Sequence, residues 1–197
     1  LSEIYSVTED CIRKDLGALE KQRKLKRTYG GAVVLRENLH NMEVSKRRHT
    51  DVEAKQKIAQ TAVDLIHEKD MVFLDISTSN VAIAEMLVQH PKDITVVTNM
   101  IDILVILAQN PQIRLVFAGG MINKSRDGFW GGMTMDFISR LKPDIAFVGA
   151  VGVDVEENSV STFDIEDGIN KAAIIRASKR AYLVAEHRKL SNDGNYN

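Results

Sequence analysis

One cysteine, Cys11, is all that this 197-residue chain carries, so no internal disulfide framework holds it and a reducing, cytoplasmic setting is expected. No apolar run approaches the roughly 20 residues that a membrane-spanning helix needs, and the start shows no basic-then-apolar leader pattern. The five histidines (His40, His49, His67, His90, His187) are scattered without metal-ligand spacing, which argues against a metal hydrolase. Neither a Gly-x-Ser-x-Gly elbow nor a Walker loop is present, nor any internal repeat or low-complexity tract. No metal and no cofactor are expected. The chain opens on Leu1 rather than Met and stops at Asn197, and both ends read as trimmed from a longer protein.

The chain has ample apolar material for a core. It is 44% hydrophobic and 27% charged, an ordinary balance for a soluble globular protein and not that of a disordered one. Its length suits one α/β domain with a small appendage. The net charge of −1 is unevenly spread: residues 1–48 hold 11 Lys/Arg against 7 Asp/Glu, and the remainder 15 against 20. Within 13–36, Arg13, Lys14, Lys21, Arg23, Lys24, Lys26, Arg27 and Arg36 face only Asp15 and Glu20. A basic head on an acidic body fits a head that meets a polyanion, or simply a solvated helix face; charge alone does not choose.

Residues 1–6 read as the tail of a helix. The stretch VTEDCIRKDLGALEKQ (7–22) reads as a second one, with Thr8 as N-cap, Glu9 and Asp10 against the positive end of the helix dipole, and Val7 as a staple. Ile12, Leu16 and Leu19 recur at helical spacing as a buried stripe, so Arg13 and Lys14 project from its edges. KLKRTYGGAVVL (24–35) reads as a short hairpin turning at Gly30-Gly31, and residues 36–49, polar and without period, as a linker. From Thr50 a further amphipathic helix follows, with Ile58, Ala62, Leu65 and Ile66 on its apolar face. Beyond it, strands at 71–75, 94–98, 113–118, 145–150 and 181–185 alternate with helices near 79–90, 100–109, 132–142 and 165–179. This alternation predicts an α/β fold: a mostly parallel sheet with helices on both faces, over 50–197.

A capped helix with exposed basic residues, preceded by a turn and an earlier helix and followed by a basic hairpin, has the layout of a winged helix-turn-helix over 1–35. Its recognition helix would present side chains to major-groove base edges, and Lys24, Lys26 and Arg27 on the wing would meet phosphates. The segment resembles the DNA-binding part of DeoR-type bacterial transcriptional regulators in Val7-Thr8, Ile12-Arg13-Lys14-Asp15-Leu16, Leu19-Glu20, Arg27 and Gly30-Gly31-Ala32. It departs from the family pattern at Cys11 (for Thr), Lys14 (for Arg, which loses a bidentate fork) and Tyr29 (for His). The resemblance implies that Thr8, Arg13, Lys14, Lys24, Lys26, Arg27 and Tyr29 face operator DNA.

In an open α/β sheet, ligands sit at the carboxyl ends of the strands. Asp75 with Ser77, Thr78 and Ser79, then Thr98-Asn99, Gly119-Gly120 and Gly149, all fall there by the strand assignments. Free amides at a helix start, with the helix dipole, favour an anion such as phosphate. The DeoR resemblance continues through Val72-Phe73-Leu74-Asp75, Val97-Thr98-Asn99, Gly119-Gly120, Gly131, Asp144-Ile145-Ala146-Phe147-Val148-Gly149 and Lys189. It implies a sheet like those of ribose-5-phosphate isomerase, glucosamine-6-phosphate deaminase and CoA transferases. It implies, too, a phosphorylated sugar effector and a place for Lys171 and Lys189 in its pocket. Two departures stand out. Ser77 replaces a Gly, and Asp154, Glu156, Glu157, Asp164, Glu166 and Asp167 make the region around 151–167 acidic, to be offset by Lys171, Lys189 and Arg126 unless the acids are simply solvated.

Two functions fit. An isomerase or deaminase acting on a sugar phosphate would need a general base, for which Asp75 or Glu166 could serve. A transcriptional regulator, most simply a repressor of a sugar-catabolic operon, would use the same crevice to sense its effector. It would act as a homo-oligomer, dimer or tetramer, because two half-sites are read together. The capped basic head favours the regulator, since an isomerase needs no such appendage and fold kinship confers no activity.

Overall fold

The computed structural model describes residues 2–21, 25–34, 44–191 and 194–196. The chain divides into two compact units, Leu1–Leu39 and His40–Asn197.

In the first unit, α1 (Ser2–Tyr5) and α2 (Glu9–Lys21) precede an antiparallel hairpin of β1 (Leu25–Thr28) and β2 (Gly31–Val34). Ser6 turns the chain between the helices at φ 53°. Thr8 caps α2 as expected, its hydroxyl accepting from the Cys11 amide at 3.3 Å. The hairpin turns one residue earlier than expected, at Tyr29-Gly30, because Gly30 supplies the left-handed φ of 83° and Gly31 already pairs with Thr28. Ile12, Leu16 and Leu19 are only half-buried, and no residue of α2 is buried.

The second unit opens on α3 (Val44–Arg48), a short helix inside the stretch expected to be linker. Next come α4 (Val52–Leu65), β3 (Met71–Leu74), α5 (Thr78–Gln89), β4 (Thr95–Thr98), α6 (Ile101–Leu107) and β5 (Arg114–Phe117). The hairpin β6–β7 (Met121–Ile122, Phe129–Trp130), α7 (Gly132–Ser139), β8 (Ile145–Gly149) and the hairpin β9–β10 (Gly152–Asp154, Ser159–Ser161) lead to α8 (Ile165–Ala177) and β11 (Ala181–Val184). A 3-10 turn, His187–Ser191, follows.

Five strands form one parallel sheet in the order β11-β8-β3-β4-β5. All five lie within a residue of the expected strands, since each is a short, mostly apolar run bounded by turn residues, and the three central ones, β8, β3 and β4, are buried on both faces. Alternate side chains feed two cores. Val72, Leu74, Val96, Ile145 and Phe147 pack under α4, α5 and α6, whereas Phe73, Val97, Ala146 and Val148 pack against Ile138 of α7 and Ile174 of α8. At roughly 1.5–3 kcal/mol per fully buried aliphatic or Phe side chain, this double core is the main stabilising element.

The chain runs outward from β3 to β4 and β5, then returns to lay β8 on the other side of β3. The strand order therefore switches between β3 and β8, and the carboxyl ends at such a switch are where open α/β sheets bind ligands. On α4, Ala62 and the following Ile66 are buried and Ile58 and Leu65 pack against the same core, as expected, and the buried face also takes in Lys55, Ala59 and Val63. The buried Lys55 ammonium reaches the carbonyls of Arg47 (2.5 Å) and Thr50 (2.7 Å) and so caps the end of α3.

Candidate functional site

Asp75 is the residue after β3, and only 1% of it is exposed. Its Oδ2 accepts from the Gly149 amide at the end of β8 (3.1 Å) and from the Lys171 ammonium (2.5 Å). Lys171 also pairs with Asp167 one turn earlier on α8 (3.2 Å), and Asp167 accepts from the Thr162 hydroxyl (2.5 Å). Burial pushes the Asp75 carboxyl up, against the pull of Lys171. Burial alone would lower Lys171, but the Asp167 and Asp75 carboxylates outweigh it and hold the ammonium above the ordinary lysine range. Lys171 thus stands beside Asp75 at the strand ends, its charge already paired with two carboxylates. Asp164, of the acidic stretch, caps α8 by accepting from the Glu166 amide (3.0 Å), and Asp154 accepts from the amides of Glu156 and Glu157 in the hairpin turn. These acids hold local structure. Arg126 lies at φ 56° on an exposed turn.

The start of α5 lies against this assembly. Ser77 is the N-cap, with extended backbone (φ −161°), and its hydroxyl accepts from the Asn80 amide at 3.0 Å. A glycine is not needed for the backbone here, and the serine supplies a cap. The amides of Thr78 and Ser79, in the first turn, have no intrahelical acceptor. Asn80, fully buried, ties the loop to both strands by donating to the carbonyls of Asp75 and Phe147, each at 2.8 Å.

At the next strand end, Thr98 donates to the Leu74 carbonyl (2.7 Å) and accepts from the Met100 amide (3.1 Å), so its hydroxyl is committed to joining β3 to β4. Asn99 donates to the Phe129 carbonyl at 2.9 Å. Its Oδ1, like Asp75 Oδ1, is buried with no hydrogen-bond partner among the described residues. Gly120 is a packing glycine: a Cβ there would fall 2.2 Å from the Thr134 hydroxyl. Gly119 accepts from that hydroxyl through its carbonyl at 3.0 Å.

Lys189 lies in the 3-10 turn after β11 and has Glu186, Arg188, Arg47 and Lys55 as charged neighbours. Burial, opposed by Glu186 and reinforced by the three cations, lowers its ammonium to about 8. Asn80, Thr162, Arg47 and Asp127 escaped the sequence reading, and Asp167 was read only as one of the acids of 151–167, not as the partner of Lys171. The capping-type spacing of Ser77 to Asn80 and the i,i+4 pair Asp167–Lys171 were visible signals; the others show only in three dimensions.

In the head, Arg13 pairs with Glu9 (3.4 Å) and Asp10 (3.7 Å) of its own helix, while Lys14 and Lys26 are exposed. The Arg27 amide donates to Glu20 at 2.9 Å, pinning the wing to α2, and Tyr29 is fully exposed at the hairpin tip. Lys24 lies outside the described residues.

A helix-hairpin head joined in one chain to a parallel α/β body whose strand order switches between β3 and β8 is the architecture of a ligand-responsive transcriptional regulator. Two family models match: the DeoR-like helix-turn-helix domain over residues 1–38 and the DeoR C terminal sensor domain over 50–197. The chain belongs to the DeoR family of DNA-binding transcriptional regulators. It is 32% identical over 197 residues to the glycerol-3-phosphate regulon repressor of Escherichia coli (strain K12), covering all of this chain and 77% of that protein. It is 33% identical over 193 residues to the HTH-type transcriptional repressor GlcR of Bacillus subtilis (strain 168), covering 98% and 73%. Among solved structures, ribose 5-phosphate isomerase A of Methanocaldococcus jannaschii superposes with a TM-score of 0.52 at 13% identity, over 71% of this chain and 55% of the isomerase. That likeness is one of fold. The family is one of regulators, so the isomerase-like enzyme reading is not the favoured one. No described helix is long and apolar enough to cross a membrane.

Proposed function

We propose that the protein is a cytoplasmic, homo-oligomeric repressor that releases its operator when a phosphorylated sugar or polyol enters the crevice between β3 and β8. The observation that carries this is the start of α5. Ser77 and Asn80 fix the helix end on both central strands, and the Thr78 and Ser79 amides are left pointing along the dipole toward an anion. Lys189, whose ammonium donates no hydrogen bond among the described residues, is the cation available to a phosphate. Lys171 serves instead to hold Asp75 in place. Two buried acceptors without partners, Asp75 Oδ1 and Asn99 Oδ1, lie at adjacent strand ends, and hydroxyl donors of a polyol match them once the crevice opens. The relatedness to a glycerol-3-phosphate regulon repressor favours the same ligand class.

On the DNA side, Thr8, Arg13, Lys14, Lys26, Arg27 and Tyr29 form the proposed operator-facing set, and two heads of an oligomer read two half-sites. A thermal-shift series with inorganic phosphate, glycerol 3-phosphate and hexose phosphates tests the sensor. At least one phosphorylated polyol should raise the melting temperature more than phosphate does, and Lys189→Met should abolish the difference. No shift with any of them, or turnover at enzymic rates, would overturn the sensor reading.

A further inference from the structure

The segment 123–129 makes more contacts of consequence than a connecting loop needs. It lies across the carboxyl ends of β3 and β4. The Phe129 amide donates to the Asn99 carbonyl (2.9 Å), the Asn99 side chain returns a bond to the Phe129 carbonyl (2.9 Å), and the Ile101 amide donates to the Asp127 carbonyl (2.9 Å). Gly128 is pressed so closely on the β3–α5 loop that a Cβ would fall 2.6 Å from Ile76 Cδ1 and 2.7 Å from the Asn99 carbonyl oxygen. Within the segment, Asn123 braces Asp127 twice, donating from its side chain to Oδ1 (2.5 Å) and accepting from the Asp127 amide (3.1 Å). The other oxygen, Asp127 Oδ2, meets Arg47 of α3 at 3.4 Å, and Asp127 is 7% exposed.

Thus Ile76, beside Asp75 and Ser77, and Asn99, with its unpartnered Oδ1, touch one side of a strap whose other side grips α3. The helix α3 is the first described element after the segment that joins the two units in sequence. It is held from below as well, by Lys55 on the Arg47 carbonyl and by Arg48 on Glu85 and Asp102.

We propose that the strap 123–129 is the output of the effector site: it couples the positions of Ile76 and Asn99 to α3 through the Asp127–Arg47 ion pair. This rests on the crevice being the effector site, yet the coupling itself is a property of the unliganded chain. A ligand that moves Asn99 or the 75–79 loop must shift the strap, because Gly128 leaves no slack, and the strap then tightens or loosens its hold on α3. Asp127 and Arg47 are positioning residues, with no part in ligand contact.

Hydrogen exchange of the ligand-free 197-residue protein tests this. Asp127→Asn should speed exchange of the α3 amides by about five- to tenfold while α5 and α6 keep their protection. Asn99→Ala, acting from the far side of the strap, should speed α3 as well, and the double variant should exceed neither single change by much. Arg47→Gln breaks the same pair from the other end, and Gly128→Ala displaces the strap on the Ile76 side, should either first variant fold poorly. Unchanged α3 exchange in Asn99→Ala and Gly128→Ala, with the strap itself loosened, would overturn the coupling. Failure of every phosphorylated polyol to bind would overturn the sensor reading and leave this result standing.

Discussion

Ser77 and Gly149 close on each other across the junction of β3 and β8: a Cβ added at 149 would lie 2.3 Å from Ser77 Cβ. The serine at 77 therefore dictates the glycine at 149. Gly149→Ala should destabilise the body by about 1–3 kcal/mol, the usual cost of overpacking a tight site. In urea denaturation, Ser77→Gly in the same chain should recover a large part of that loss. Simple additivity of the two changes would show that the contact is not the cause.

Lys171→Met leaves Asp75 and Asp167 without their shared cation in a buried place. Removing one partner of a buried pair costs about 3–5 kcal/mol, and the loss should appear in the denaturation midpoint at pH 7. Asp75→Asn with Lys171→Met should be less damaging than Lys171→Met alone, because the uncompensated charge is then halved. A larger loss in the double variant would contradict that.

Lys189 gives a pH dependence with a definite sign. Its folded value of about 8 lies below the ordinary lysine value of 10.5, so between these limits the unfolded chain binds more proton. Stability from this residue therefore rises as pH climbs from about 8 to 10.5, and below 8 the burial penalty is fully present. Melting temperatures between pH 7.5 and 10 should climb in the parent relative to Lys189→Met. Parallel profiles would refute the shift.

Asp144 works in the opposite sense. Its hydrogen bonds from Lys179 (2.7 Å) and the Met71 amide (2.8 Å) hold its carboxyl below the usual range. Its contribution is present above the unfolded value of 3.8 and disappears as pH falls through the lower folded value. Asp144→Asn should thus cost stability at pH 7 and little in strong acid, as read by denaturation at the two pH values.

Charge reversal at Arg13 and Lys14 together should abolish binding to operator DNA in a gel shift while leaving the melting of the body unchanged. Phosphate contacts scale with salt, so wild-type binding should weaken steeply between about 50 and 200 mM salt. Retained binding in the reversed protein would remove α2 from the interface.

The parallel sheet was legible because each of its strands is a mostly apolar run of four or five residues between helix-period segments, and two-faced burial of the central three makes their runs continuous. The site was legible in part. Asp75, Ser77 and Asn99 stand at strand ends and could be placed by counting, and Lys171 came from family resemblance. The acidic stretch read either as a pocket rim or as a solvated loop, whereas three of its aspartates, Asp164, Asp154 and Asp167, serve as a cap, a turn and a counterion because each finds a near neighbour in sequence. The strap was invisible: Arg47 and Asp127 are 80 residues apart, in segments whose polar composition reads as linker and loop.

Sequence by itself determined the five sheet strands, the longer helices between them, their order and the family, since periodicity, caps and the spacing of Ile12 to Glu20 are local and survive without knowledge of contacts; α3 and the two small hairpins of the body were not legible. Tertiary structure decided which polar groups are already occupied. Lys171 is paired with two carboxylates, Thr98 is committed to the sheet, Ser77 is a cap, and the Lys189 ammonium donates no hydrogen bond among the described residues, because hydrogen-bond partners and desolvation depend on neighbours that only the folded chain brings within 3 Å or so of one another.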